Sequence, residues 1–292
     1  MSKKHPIIAI TGSSGAGTTS VKKAFEHIFF RLKLTDKVAI VEGDSFHRYD
    51  RAEMREKIAK AQREYSNFSH FSLEANRLKD LEQLFKTYGE TGTGKRRYYV
   101  HSKAEGDKLG GYEPGTFTPW EDIPQDTAML FYEGLHGAVQ AEDIDIPKFV
   151  DLKVGVVPIV NLEWIQKIHR DTEQRGYKPE DVTDTILRRM HDYVNIITPQ
   201  FSKTDINFQR VPTVDTSNPF ISRDVPTPDE SFVIIRFREP EKFNPDFPYL
   251  LAMIKDSFMS RRNSIVVPGG KMEMAMELIF MPILQKMLEK RG

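Results

Sequence analysis

The fold is decided by residues 6–19, which read PIIAITGSSGAGTT. Pro6 to Ile10 form a short apolar run typical of a buried strand. Glycines at positions 12, 15 and 17 follow, and apolar residues at helical spacing then run from Val21 to Leu32. In this setting the backbone N–H groups of a glycine-rich loop bind phosphate, together with the positive end of the next helix. The segment therefore predicts a phosphate-binding loop between a first strand and a first helix.

The loop fits the pattern G-x-x-x-x-G-K-[ST] with one departure, because Thr18 takes the place of the usual lysine. Thr19 stands where a hydroxyl would hold Mg²⁺. A glycine turn that binds nothing is the alternative, but the flanking strand and helix favour ATP binding. The predicted nucleotide ligands are Gly12, Ser13, Ser14, Gly15, Ala16, Gly17, Thr18 and Thr19.

If the loop binds ATP, the missing positive charge must come from another segment. Residues 167–175, KIHRDTEQR, are the best source, since Lys167, Arg170 and Asp171 share one helical face. Kinases of this architecture often carry such a basic helix on a closing lid. An ordinary solvated charged face is the alternative.

Carboxylates follow two predicted strands. Val38–Val41 runs into Glu42 and Asp44, and Met129–Tyr132 runs into Glu133. Ligands of open α/β sheets collect outside the carboxyl ends of the strands. Asp44 is the better placed of the first pair to accept the proton of a hydroxyl that attacks a phosphoryl group. Glu133 has the position of a Walker-B acid, which orients Mg²⁺ or its water.

Basic residues come soon after the predicted base, namely His47, Arg48 and Arg51. A phosphorylated sugar needs a cation for its distal phosphate, and arginine binds phosphate through two parallel hydrogen bonds. His101, beside two tyrosines and the basic cluster at 95–97, is a further candidate. A loop histidine without a ligand is the alternative reading for both histidines.

The remaining periodicity predicts a single domain over residues 1–292, of α/β class, with a mostly parallel sheet covered by helices on both faces. Residues 89–126 are glycine-rich and irregular, which predicts a hairpin or a long loop. The further predicted strands are 150–157, 211–215, 232–237 and 265–267. The further predicted helices are 51–65, 72–88, 161–175, 180–197, 248–259 and 271–290.

Composition narrows the class of protein. Lys plus Arg and Asp plus Glu both total 42, so the neutral chain lacks the basic excess of a nucleic-acid binder. Its local basic clusters suit small anionic ligands instead. The absence of cysteine excludes disulfides and thiolate metal sites. No apolar run reaches the ~18 residues of a membrane span, and the first strand begins too close to Met1 for a signal peptide, so we expect a cytoplasmic protein.

Longer motifs narrow the predicted function to one family. The chain resembles bacterial-class phosphoribulokinases, and the resemblance covers nearly all of it. The motifs are GSSGAGTT at 12–19, EGDSFHR at 42–48, FSHFSLEAN at 68–76, FYEGLHG at 131–137, VGVVPIVNLEWIQKIHRD at 154–171 and QFSKTDINFQRVPTVDTSNPF at 200–220.

The resemblance implies a P-loop fold of the nucleoside-monophosphate-kinase-like type with a mixed sheet, and ATP-dependent phosphorylation of ribulose 5-phosphate. It implies Asp44 as the base, Glu133 as the Walker-B acid and Thr19 as a Mg²⁺–nucleotide ligand. Threonine at position 18 is usual in this family. Contacts to the sugar phosphate or the transferring phosphoryl group are implied for His47, Arg51, Lys167, Arg170 and Arg175.

Regulation is also implied by the resemblance. The bacterial class is often octameric, activated by NADH and inhibited by AMP, so we expect a homo-oligomer with NADH as an effector. The candidate effector or interface residues are Arg31, Arg188, Arg189 and Arg236. The plant class carries a redox-switched cysteine pair, which this chain lacks.

Two rival functions remain open. A related P-loop kinase would act on uridine, pantothenate or another sugar phosphate. A non-catalytic nucleotide-binding regulator would account for Thr18, but it would leave Asp44 and Glu133 unexplained.

Overall fold

The computed structural model describes residues 4–13, 15–173, 175–222 and 224–290. Within them, an eight-stranded sheet has the strand order β11-β12-β10-β9-β8-β1-β5-β2. Its strands are β1 Ile7–Thr11, β2 Val38–Glu42, β5 Met129–Gly134, β8 Leu152–Val157, β9 Ile206–Pro212, β10 Ser231–Phe237, β11 Phe258–Arg261 and β12 Ser264–Pro268. Two short antiparallel pairs lie outside the sheet, β3 Lys95–Arg96 with β4 Glu121–Asp122, and β6 Gln140–Ala141 with β7 Ile144–Asp145.

The sheet is mixed but mostly parallel. The strands β2, β5, β1, β8 and β9 run parallel to one another, whereas β10, β12 and β11 add antiparallel pairs at one side. The helices are α1 Thr18–Arg31, α2 Arg51–Arg63, α3 Leu78–Thr91, α4 Lys103–Lys108, α5 Val160–Glu173, α6 Pro179–Arg188, α7 Met190–Asp192, α8 Pro240–Phe243, α9 Phe247–Met253 and α10 Met272–Glu289. The predicted α/β class with a mostly parallel sheet is therefore confirmed.

Both faces of the sheet are packed against helices, and β1 shows why. Successive side chains of a strand point to opposite faces. Ile8 and Ile10 join the cluster that α1 and α10 cover, whereas Ile7 and Ala9 join the cluster that α3 covers. A strand that is buried on both faces reads as a continuous apolar run, which is the signal that predicted β1.

Several predicted boundaries are wrong. The strand predicted at 211–215 is β9 at Ile206–Pro212, which begins earlier because Ile206 and Phe208 are the buried residues. The helix predicted over 248–259 ends at Met253. Asp256 adopts a left-handed backbone with φ of 65°, and the chain then returns as the edge strand β11.

The helix predicted over 180–197 is also interrupted. It ends at Arg188, and a short α7 leads into a π-helical turn at Tyr193–Ile197 and a 3₁₀ turn at Thr198–Ser202. The π turn buries both Tyr193 and Ile197. The region 89–126 is closer to the predicted long loop than to a hairpin, because residues 97–120, with the unpredicted short α4, separate the antiparallel pair β3 and β4. None of the described helices has the length and apolar character needed to cross a membrane.

Candidate active site

The glycine-rich loop lies between β1 and α1, as predicted. Gly15 and Gly17 have φ values of 108° and 100°, in the region that favours glycine, and Gly17 precedes the first turn of α1. The Gly12 N–H donates to the Gly134 carbonyl at 3.3 Å, which ties the loop to the end of β5. Ser14 lies outside the described residues. Thr19 belongs to the first turn of α1, and its side chain lies outside the described part of the structure.

Beneath the loop, a buried hydrogen-bond network joins it to two distant segments. The Ser13 hydroxyl donates to one Glu163 oxygen, and the Tyr193 hydroxyl donates to the other at 2.8 Å. All three side chains are buried. Burial raises the pKa of Glu163, although its hydrogen bonds from Ser13 and Tyr193 act in the opposite direction. The network was not predicted, since its members are far apart in the sequence.

Glu133 ends β5, where it is in register with Ile10 of β1 and Glu42 of β2. Burial raises its pKa, against a hydrogen bond from the Thr18 side chain. The residue that replaces the usual lysine therefore contacts the predicted Walker-B acid. A cation lies one helical turn further on, since the Lys22 ammonium is 2.5 Å from Glu42 Oε1.

These residues suit Mg²⁺ bound with a nucleotide. Among the described residues, no group of three or more acidic, histidine or cysteine side chains could enclose a metal ion. Mg²⁺ in kinases needs no such enclosure, because it keeps several waters and takes phosphate oxygens plus one or two protein ligands. The Glu133 carboxylate beside the phosphate loop fits that requirement.

Asp44 lies in a 3₁₀ turn, Gly43–Phe46, directly after β2. His47 Nε2 is 3.3 Å from its Oδ1, and His101 Nε2 is 3.6 Å from its Oδ2. Burial would raise the pKa of Asp44, but the hydrogen bond and charge of His47, with the charge of His101, hold it well below its usual range. The side chain keeps 39% of its surface accessible, so a ligand can reach it. Two predicted substrate histidines thus flank the predicted base.

Arg51 begins α2 on the same side of the site. Its guanidinium donates to the His101 carbonyl at 3.2 Å. Arg48 has another role, because its guanidinium donates to the backbone carbonyls of Glu74 and Asn76. The structure therefore brings together Asp44, His47, Arg51 and His101.

The predicted basic cluster at 95–97 serves the site indirectly. The Arg97 guanidinium donates to the Ser45 carbonyl at 2.8 Å and to the His47 carbonyl at 2.7 Å. It also lies over the Phe117 ring. Arg97 therefore braces the turn that carries Asp44.

The three predicted cations of the second basic segment converge on one buried carboxylate, Asp171. Lys167, Arg170 and Arg175 have nitrogen atoms 2.5, 2.9 and 3.3 Å from its oxygens. Burial lowers the pKa of Lys167 to about 8, with the nearby charge of Arg189 acting in the same direction. The sequence placed Asp171 on the same helical face as Lys167 and Arg170 but gave it no role, and the structure makes it the common partner of the three cations.

The four predicted effector arginines do not form one cluster around a single partner. Arg189 is partly buried, lies over the Phe71 ring and has Nη2 3.3 Å from His70 Nδ1. Burial lowers its pKa to about 10. Arg31 forms an ion pair with Glu277 of α10, and Arg236 is exposed on β10. Half-buried Arg188 precedes Arg189 at the end of α6. Effector roles for these residues stay predictions.

A family model described as "Phosphoribulokinase / Uridine kinase family" matches residues 7–217 of the chain. This match covers the phosphate loop, Asp44, Glu133 and the basic segment of α5.

Full-length relatives have the same name. The chain is 62% identical to the plasmid-encoded phosphoribulokinase of Cupriavidus necator, over all of this chain and 98% of that protein. It is 63% identical to the phosphoribulokinase of Xanthobacter flavus, over all of this chain and 99% of that protein. The solved phosphoribulokinase from Rhodobacter spheroides superposes with a TM-score of 0.90 at 55% identity, covering 99% of each chain. The chain therefore belongs to the phosphoribulokinase/uridine kinase family, and within that family to the bacterial phosphoribulokinases.

Proposed function

We propose that the protein transfers the γ-phosphate of ATP to the 1-hydroxyl of ribulose 5-phosphate, which gives ADP and ribulose 1,5-bisphosphate. One observation carries this proposal beyond the family. An accessible carboxylate, Asp44, lies between two histidines at the same edge of the sheet as the phosphate loop and Glu133. This arrangement suits a hydroxyl acceptor that also carries a negative charge.

Asp44 is the acceptor of the hydroxyl proton. Because its pKa is held low by His47 and His101, it is ionised at neutral pH and accepts a hydrogen bond from the attacking hydroxyl. The transition state of phosphoryl transfer is loose, so the base mainly orients the hydroxyl in line with the phosphoryl group. A carboxylate held from two sides meets that requirement.

The cations divide into two groups. His47, Arg51 and His101 surround the Asp44 end of the site, and they bind the sugar phosphate. Lys167 and Arg170 stabilise the negative charge on the transferring phosphoryl group, and Arg175 adds a contact to the sugar phosphate. Their convergence on Asp171 supports this role, because it gathers three cationic side chains at one place.

Mg²⁺ would be held by Glu133, directly or through water, and by the Thr19 hydroxyl. The ion neutralises charge that develops on the β- and γ-phosphate oxygens. The backbone N–H groups of residues 12–19 bind those phosphates. Phosphoribulokinases use Mg²⁺ with ATP, and the Glu133 carboxylate beside the loop supports the same use here.

Regulation and assembly belong to the same proposal. We propose a homo-oligomer, octameric by resemblance, that responds to NADH through Arg31, Arg188, Arg189 or Arg236. We propose a cytoplasmic enzyme, because ATP and sugar phosphates occur in the cytoplasm. A titration with NADH at low ribulose 5-phosphate tests the effector, and its failure would leave the catalytic proposal intact.

The catalytic proposal is tested by identifying the product. Incubation with ATP, Mg²⁺ and ribulose 5-phosphate should release one ADP per product molecule, and ³¹P NMR should show two phosphate monoesters on one sugar. A panel of other pentose phosphates, pentoses, uridine and pantothenate serves as the comparison. Preferred turnover of uridine or pantothenate would support the rival kinase, and ATP binding without ADP release would support the non-catalytic regulator.

A further inference from the structure

Asn76 follows the 3₁₀ turn Leu73–Ala75 and is only 2% exposed. Its side-chain nitrogen donates to the His70 carbonyl at 2.9 Å and to the Ser72 carbonyl at 2.7 Å. Both N–H groups of the amide are thus used on backbone oxygens. A flipped amide would turn its oxygen toward those two carbonyls, so the orientation of Asn76 is determined.

The remaining amide atom, Oδ1, faces His47 Nδ1 at 2.7 Å. An amide oxygen can only accept, so the ring nitrogen must carry a proton. The other ring nitrogen, Nε2, is the one that lies 3.3 Å from Asp44 Oδ1. The backbones of His47 and Asn76 also form an isolated antiparallel bridge, which holds the two residues at constant separation.

We propose that Asn76 is a positioning residue for phosphoryl transfer, because it fixes the ring of His47 with Nδ1 protonated and with Nε2 directed at Asp44. This inference rests on the proposed function, in which Asp44 receives the hydroxyl proton. The protonated nitrogen matters because the hydrogen bond made by one imidazole nitrogen determines whether the other nitrogen can donate or accept. A ring free to rotate would leave Asp44 without its nearest partner.

Titratable groups on several elements face the His47 ring. Asp44 lies in its own turn, and His70 and Tyr99 pack edge-on against the ring at centroid distances of 5.1 and 6.1 Å. His101 lies near enough to act electrostatically on Asp44, and His136 and Arg189 lie near enough to act on His47. Burial lowers the pKa of His47, but its hydrogen bonds to Asp44 and Asn76, with the charge of Asp44, outweigh burial and leave the pKa raised. Removing Asn76 should therefore lower the pKa of His47.

The first test needs no substitution. In wild-type protein with ¹⁵N-labelled histidine, the His47 signal is assigned by its absence from His47→Asn. Its Nδ1 should keep the shift of a protonated nitrogen throughout the titration, and only Nε2 should lose its proton as the pH rises. A neutral form that carries its proton on Nε2 would overturn the proposal.

The second test uses Asn76→Ala. We expect kcat to fall by at least about tenfold, the scale of one lost hydrogen bond to a charged group, with the KM for ATP changed less than about twofold. The His47 pKa should fall. The decline of kcat with rising pH should therefore move to lower pH. An unchanged His47 pKa together with an unchanged kcat would contradict the proposal.

Gln200→Ala is the matched control. Gln200 is also 2% exposed, and its amide makes three bonds, from the Ala138 N–H and to the Leu135 and Ile196 carbonyls. Its loss should lower stability to a similar degree and leave the His47 pKa unchanged. If Gln200→Ala shifts the kcat profile as much as Asn76→Ala does, the effect of Asn76 is only structural.

A double-mutant cycle tests whether Asn76 acts through His47. If Asn76 acts through His47, then Asn76→Ala should cost almost nothing more in kcat when His47 is already alanine. Additive losses would show that Asn76 acts by another route and would overturn the proposal. The failure of the proposed function is distinct: it would appear as no turnover of ribulose 5-phosphate by wild-type protein whose His47 still shows the expected protonation.

Discussion

At the scale of single residues, the chemistry depends on which of two neighbouring carboxylates faces the substrate. Glu42 and Asp44 both follow β2, but Glu42 is paired with Lys22, whereas Asp44 is held by two histidines. Asp44→Asn should leave ATP affinity unchanged and lower kcat by at least ~10²-fold, because an amide cannot accept the hydroxyl proton. Steady-state kinetics with ADP release measures this. Glu42→Gln is the control and should lose far less; the reverse ranking would mean that the base is misassigned.

Lys167, also at the scale of single residues, predicts a pH dependence of kcat/KM. Burial, with the charge of Arg189, lowers its pKa to about 8, so the ammonium is charged below that pH and neutral above it. If the charged form binds the phosphoryl group, kcat/KM should fall as the pH rises through about 8. Lys167→Arg, which stays charged, should retain some activity and lose this decline. Persistence of the decline at the same pH in Lys167→Arg would assign it to another group; exposed Lys60→Arg serves as control.

Arg51 tests how the substrate is held. It contacts the segment of His101, on the Asp44 side of the site, and not the phosphate loop. Arg51→Ala should raise the KM for ribulose 5-phosphate by about tenfold or more, the scale of one charge-assisted contact, with little effect on the KM for ATP. Arg48→Ala is the neighbouring control, since Arg48 binds backbone carbonyls. A selective change in the KM for ATP after Arg51→Ala would contradict this placement.

At the scale of elements, the phosphate loop is tied to α5 and to the π-helical turn through Glu163. Tyr193→Phe removes one donor from this buried carboxylate. The free energy of unfolding should fall by about 1–3 kcal/mol, and the KM for ATP should rise. Denaturant unfolding and ATP titrations measure the two effects. Tyr177→Phe, at a residue 48% exposed, should change stability by less than about 0.5 kcal/mol, and equal effects of the two changes would show that the tie is unimportant.

The phosphate loop and the helix predicted over 180–197 show which parts of the fold could be predicted from the sequence and which could not. The sequence β1–loop–α1 is local, and its apolar run, glycines and helical spacing were sufficient to predict it. Within the helix predicted over 180–197, the π-helical turn contains Tyr193, which bonds to Glu163, 30 residues away, and no local pattern predicts this contact. Likewise His47 and Asn76 are 29 residues apart. Strand-end acids and basic segments could be predicted from chemistry and position, but the residues that orient them are chosen by tertiary contacts.

At the scale of the whole molecule, regulation cannot involve thiols, because the chain contains no cysteine. Activity should therefore be unchanged by dithiol reduction or mild thiol oxidation, and any effector must act through charge or packing. Parallel assays with and without dithiol measure this. A reproducible response to dithiol alone would point to another component in the preparation or to a different regulatory chemistry.

In the proposed function the site has two ends, a phosphate loop for ATP and a cluster of His47, Arg51 and His101 for a charged acceptor. One ratio measures whether the two ends work together. It is kcat/KM for ribulose 5-phosphate divided by kcat/KM for free ribulose, measured with the same wild-type protein. Binding of the remote phosphate positions the reacting hydroxyl. The ratio should be at least about a hundred, as expected for the loss of two charge-assisted hydrogen bonds. A ratio near one, or a higher kcat/KM for a nucleoside than for ribulose 5-phosphate, would contradict the account.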